Sequence, residues 1–183
     1  KKQKQRLTDK KMASALRGAQ MKKELRLKKV GLIKQGARDE VEELIKDPLW
    51  LAGTMLYWAE GSKEKPWRTG AKVTITNMDV EVHKIFLYWT KRYFGINKLD
   101  LGYELFIHRS GPVDRARLFW SSKIGIPIEV INVYFKKDDP NPKRKNKEID
   151  YNGVLRIFVR KSTDLNRKIA GWIEGVIEYL QHE

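Results

Sequence analysis

Leu49-Trp50-Leu51-Ala52-Gly53-Thr54-Met55-Leu56-Tyr57-Trp58-Ala59-Glu60-Gly61-Ser62 is the stretch on which the fold turns. Asp47-Pro48 precedes it, placing proline in a first helical turn, where its absent N–H leaves no bond unmade. From Leu49 to Ala59 nearly every position is apolar, so a helix here is buried or lies in an interface. The run stops abruptly at Glu60-Gly61-Ser62. Gly61 is expected in the left-handed cap conformation, which leaves Glu60 as the last side chain of a buried helix.

Working outward, residues 72–77 alternate in polarity and predict a half-buried strand, with Val73 and Ile75 inward and Lys72, Thr74 and Thr76 outward. Asp79 is the expected cap of a helix to about Phe94, presenting Val82, Ile85, Phe86, Trp89 and Tyr93 on one face and closed by Gly95. Strands are expected at 101–108, 129–136 and 154–160, and a helix at 112–124 with Gly125 as its C-cap. In 154–160, Leu155, Ile157 and Val159 point inward while Arg156 and Arg160 point out; one parity of 129–136 carries Asn132, Tyr134 and Lys136. Ser162 caps a final helix presenting Leu165, Ile169, Trp172, Ile173, Val176 and Leu180. The order α–β–α–β–α–β–β–α is α+β, a mixed or antiparallel sheet with helices on one face.

The chain has 183 residues, enough for one domain and an appendage, and 41% of them are hydrophobic, including six Trp, so a sizeable core can form. Lys and Arg number 38 against 23 Asp and Glu, a net charge of +15 that calls for a polyanionic partner. Residues 1–38 hold fourteen basic residues against two acids, Asp9 and Glu24. Met12, Leu16 and Ala19 recur at helical spacing there, with breaks expected at Gly18, Gly31 and Gly36, and the acidic run 39–43 begins a new helical segment. The division is therefore a basic helical arm, 1–46, and a domain, 47–183. A second basic block, Lys136, Lys137, Lys143, Arg144, Lys145 and Lys147, surrounds Pro140 and Pro142 and reads as a loop between strands.

Other classes are excluded by what is missing. No run of 18 apolar residues and no secretory signal is visible, so membrane insertion is not expected and a cytoplasmic, nucleoid-associated location is. With no cysteine, disulfide scaffolds, thiol catalysis and cysteine-ligated zinc are excluded. His83, His108 and His182 lack metal-ligand spacing, and there is no phosphate-binding glycine loop or nucleophile elbow. The outward residues Lys72, Thr74, Thr76, Asn132, Tyr134, Lys136, Arg156 and Arg160, with Lys143, Arg144, Lys145 and Lys147 of the loop, suit base edges and phosphates in a major groove. Double-stranded DNA is the expected partner. RNA, on which exposed aromatics would stack unpaired bases, is the less favoured one.

The segment Leu51 to Ser62, ending in small residue, acid, Gly and Ser, resembles the motif of the LAGLIDADG homing endonuclease family. Thr74-Ile75-Thr76-Asn77-Met78-Asp79 resembles that family's first-strand segment, running into a helix that ends Tyr93-Phe94-Gly95. Lys161-Ser162-Thr163-Asp164-Leu165 and the residues to Ile169 are similar to its strand-to-helix junction, where a basic residue lies near the active site. The resemblance covers residues 47–183 and implies a saddle-shaped sheet seated in the DNA major groove. The arm looks like the basic linker that follows a small helix-turn-helix domain in some relatives; the chain opens with Lys rather than Met, as expected if its N-terminus has been trimmed or lies in an upstream segment.

The resemblance also implies chemistry. Two motif helices pack together and their terminal acids hold divalent metal; a chain with one motif needs a homodimer through helix 49–60. Glu60 is then the catalytic metal ligand for Mg²⁺, a hard ion that suits carboxylate oxygens, and Lys161 a phosphate-contacting or water-activating residue. Met55 stands where the motif usually has glycine, Tyr57 and Trp58 are bulky, and the acid is Glu rather than the commoner Asp. The alternative is a non-catalytic DNA-binding protein or transcription regulator built on the same scaffold. Ile169-Ala170-Gly171-Trp172-Ile173-Glu174-Gly175 echoes the motif, but apolar residues continue past Gly175, so it reads as a packing helix.

Overall fold

Helix-forming Lys, Leu, Gln, Arg and Ala dominate the arm, and they carry it through its glycines. In a computed structural model describing residues 2–65, 67, 69–136 and 151–182 (backbone alone at 2–4, 6 and 7), α1 is one unbroken helix, Lys2–Asp39. The breaks expected at Gly18, Gly31 and Gly36 do not occur: each glycine costs roughly 1 kcal/mol relative to alanine, but none is forced out of helical geometry. At 1.5 Å per residue the helix is about 57 Å long. A one-turn helix α2, Val41–Leu44, follows where the acidic run lies.

The C-terminal third of α1 lies along the final helix α6, Thr163–Gln181, and runs parallel to it: Lys29 pairs with Asp164, Lys34 with Glu174, and Arg38 with Glu174 and Glu178. Two glycines make the approach close. A Cβ on Gly171 would stand 2.6 Å from the Lys34 carbonyl oxygen and 2.8 Å from Ala37 Cβ, and one on Gly175 would stand 2.7 Å from Val41 Cγ2. Ala37 and Val41 are buried in consequence. The segment that echoes the motif is thus a packing helix, and its glycines seat the arm.

Helix α3, Pro48–Glu60, begins as expected, with Asp47 Oδ1 accepting from the Leu49 N–H at 2.9 Å. It buries Trp50, Gly53, Thr54 and Tyr57. Gly61 departs from the expected left-handed cap: its φ is −80°, extended backbone. Glycine is required there by space, because a Cβ would lie 2.5 Å from the Tyr57 ring. Gly53 likewise faces inward, where a Cβ would collide with Trp89 at 2.2 Å.

Strands β1 (Thr74–Asn77), β2 (Leu101–Ile107), β3 (Ile131–Phe135) and β4 (Val154–Val159) form a mixed sheet in the order β1-β4-β2-β3. β4 is antiparallel to both neighbours, whereas β2 and β3 are parallel, connected through helix α5, Val113–Ile124. Glu129 and Val130, expected in the third strand, belong instead to a 3₁₀ turn, Ile128–Val130. Helix α4, Val80–Phe94, is capped by Asp79 and closed by Gly95 at φ 63°, as its sequence predicts.

Inward residues Ile75, Tyr103, Leu105, Leu155 and Ile157 are buried under the helices, together with four fully buried tryptophans, Trp50, Trp89, Trp120 and Trp172. Two positions depart from the expected helix faces. Ile85 and Leu180 are exposed; His83 takes the buried place on α4, edge-to-face with Trp120 at 5.3 Å. His83 sits three residues before Phe86, on the same helical stripe. No helix among the described residues is long and apolar enough to cross a membrane.

Candidate nucleic-acid interface

The pleat sends alternate residues to the uncovered face of the sheet, and the register aligns them in rows. The central row runs Thr76, Arg156, Glu104, Asn132 across all four strands. Arg156 Nη1 donates to Glu104 Oε2 at 3.1 Å, its Nε donates to Thr76 Oγ1 at 3.2 Å, and its guanidinium lies 4.4 Å from the Phe106 ring centre. The next row holds Phe106 and Tyr134, stacked at 5.4 Å. On the other side Thr74 stands beside Phe158, over which Lys72 Nζ lies at 5.0 Å.

The outward assignments of Lys72, Thr74, Thr76, Asn132, Tyr134, Arg156 and Arg160 therefore hold, since each is exposed or half-buried on or beside this face. Lys136 is half-buried at the end of β3, its N–H donating to the Ile107 carbonyl. Lys143, Arg144, Lys145 and Lys147 lie outside the described residues. Sequence reasoning missed Glu104, Phe106 and Phe158. The alternation of Glu104, Phe106 and His108 was available in strand 101–108, but no parity could be chosen without knowing its neighbours. The face is thus a set of cations lying on aromatic rings, a geometry that orders long side chains before any ligand arrives.

Glu60 is exposed at the end of α3, and its Oε2 accepts from Asn77 Nδ2 at 3.2 Å. Asn77 Oδ1 accepts from the N–H groups of Met78 and Asp79 at 2.7 and 3.0 Å, so the amide must turn its NH₂ toward Glu60. His83 Nε2 meets the Asn77 carbonyl at 3.1 Å, and burial pushes the imidazole pKa below its ordinary value. Glu60 is placed from behind by a knot around Tyr57. Tyr57 Oη donates to the Ser62 carbonyl at 2.8 Å and accepts from the Thr74 N–H at 3.3 Å, while Asn166 Nδ2 lies within reach of both Tyr57 Oη and the Ser62 carbonyl. Burial raises the Tyr57 phenol to about 12. Asn166 belongs to α6 and carried no signal in the sequence that linked it to α3.

Lys161 is exposed in the turn between β4 and α6, with φ of 51°, the one positive value among described residues other than glycine. The structure does not bring it beside Glu60. Asn77, which holds Glu60, pairs with Leu155 at one end of the β1–β4 ladder, and Lys161 lies beyond the other end. Among the described residues no group of three or more His, Asp or Glu could hold a metal ion. Glu60 has one carboxylate oxygen already engaged by Asn77, so the residues would fit Mg²⁺ if a second Glu60 came from another copy. On the outer side of α3, Ala52 and Ala59 are exposed, Met55 is half-buried between them, and Trp58 is 44% exposed.

Comparison with family models, with curated proteins and with solved structures finds no match to this chain.

Proposed function

We propose that this chain binds double-stranded DNA with the open face of its sheet in the major groove, and that two copies paired along α3 form a metal-dependent, site-specific DNA endonuclease resembling the LAGLIDADG homing endonucleases. The observation that carries the DNA reading is the row Thr76, Arg156, Glu104, Asn132, which presents donors and acceptors across four strands on the side that no helix among the described residues covers. The arm adds charge. Residues 8–25 are exposed, and Lys10, Lys11, Arg17, Lys22 and Lys23 carry no ion pair among the described residues. Because α1 runs parallel to α6, this free part projects past the start of α6, the end of the molecule that bears Lys161.

Glu60 from each copy would hold Mg²⁺, which when bound supplies charge neutralisation at the scissile phosphate. Asn77 orients the carboxylate by holding Oε2. Lys161, remote from Glu60 in its own chain, serves as a phosphate contact rather than as the base. The second reading, a DNA-binding regulator without catalysis, is favoured by the exposed Trp58 and the half-buried Met55 on the face where two helices would have to meet closely. A randomised duplex pool incubated with the protein and Mg²⁺ separates the two. Staggered ends recurring at one sequence, and absent with Glu60→Gln, are the expected outcome. An enriched sequence among intact molecules alone would leave the regulator; no enrichment of any kind would refute both.

A further inference from the structure

On the helical side of the sheet, a cleft of about 560 Å³ opens between α1, α6, the end of α3 and the loop that follows it. Its volume is that of a small-molecule site. The floor is aliphatic, made by Leu27, Val30, Ala170 and Ile173, and one wall is the half-exposed indole of Trp58. The acids at its edge are already neutralised. Glu64 accepts from Arg167 Nε and Nη2 at 3.0 and 3.1 Å, and Glu174 is paired with Lys34 and Arg38. Two of the cations are not: Lys23 and Lys63 have no ion pair among the described residues, while Arg26 makes a 3.3 Å hydrogen bond to Thr69 Oγ1 and its charge helps hold the Glu64 carboxyl down.

An open indole over an aliphatic floor, rimmed by unneutralised cations, matches a ligand that is flat and apolar at one end and anionic at the other. Inorganic phosphate alone would leave the indole unused, and a neutral aromatic would leave the rim unused. We infer that the cleft binds a nucleotide, its base against Trp58 and its phosphate on Lys23, Arg26 and Lys63. Stacking on an exposed aromatic is tolerant of base identity, so the pocket selects the nucleotide as a class. The site lies away from the sheet's open face and does not rest on the duplex-binding reading. The nucleotide comes either free from solution or from an unpaired stretch of nucleic acid.

The test is equilibrium dialysis of the full chain against labelled AMP and, separately, against a short single-stranded oligothymidylate. Binding is expected to weaken about 5- to 150-fold in Trp58→Leu, the loss of one stacked base, and to weaken also in Lys63→Glu. Both positions are exposed, and an unchanged melting temperature confirms that each variant is folded. Saturation by AMP assigns a free nucleotide, and saturation by the oligonucleotide alone assigns an unpaired nucleotide of a nucleic acid; either supports the site. Absence of both up to millimolar concentration overturns it. So does affinity unchanged in Trp58→Leu, or pyrophosphate competing as well as AMP, which would reduce the cleft to an anion patch.

Discussion

Replacing Gly171 by alanine should loosen the arm, and its effect can be separated from helix propensity. In a helix interior Gly→Ala ordinarily stabilises by roughly 1 kcal/mol. Gly31, in the docked part of α1, has nothing within 4 Å of an added Cβ, so Gly31→Ala should show that gain undiminished. At Gly171 the same methyl would lie 2.6 Å from the Lys34 carbonyl oxygen and 2.8 Å from both Ala37 Cβ and Lys34 Cα. Two of these three atoms are backbone, which cannot rotate away, so α1 must retreat from α6. Overpacking of this kind costs about 1–3 kcal/mol. Propensity cancels between the variants, so their difference is the packing cost itself: about 1–3 kcal/mol, or roughly 2–12 °C in Tm for a chain of this size. Urea and thermal unfolding, followed by far-ultraviolet dichroism, measure it. Equal stabilisation by both substitutions would refute the glycine seam, and with it the docking of the arm.

Glu64→Ala should cost about 3 kcal/mol in urea unfolding, the low end for breaking a buried pair, because Asp164 still reaches Arg167, whose side chain is 8% exposed. The hydrogen bond from Arg167 holds the Glu64 carboxyl below its ordinary 4.5, so its contribution is present above that value and lost as pH falls through the lower folded one. The parent should therefore lose more stability than Glu64→Gln in acid, measured as Tm below about pH 4.5. DNA affinity should fall about 10³–10⁵-fold between 50 and 200 mM salt if 6–10 phosphates are neutralised, and a flat response in a filter-binding titration would contradict the electrostatic reading. Removing residues 1–22, none of whose described side chains is buried, should flatten that slope without lowering Tm, while Arg156→Ala should weaken some base positions more than others.

Some of the architecture could be read directly from local pattern. Asp47 and Asp79 before apolar runs, and Gly95 and Gly125 after them, mark helix ends because capping needs only the residues adjoining the helix. The two-residue alternation of 72–77 and 154–160 was enough to put Arg156 and Thr76 on the same face, since a strand's pleat is a local property. Gly61 shows the limit. Its identity suggested a left-handed cap, yet the residue is extended, and its lack of a side chain answers the nearby Tyr57 ring.

What the sequence determined alone was the kind and extent of most elements, the inward and outward residues of β1 and β4, and a charge that concentrates in the arm. Tertiary structure decided the rest: the parallel pairing of β2 with β3, the outward turn of Glu104 and Phe106, the seating of α1 on Gly171 and Gly175, and the separation of Lys161 from Glu60. The physical reason is sequence distance. Asn166 meets Tyr57 across 109 residues and Lys34 meets Glu174 across 140, and such contacts depend on which surfaces bury each other best, which no local period records.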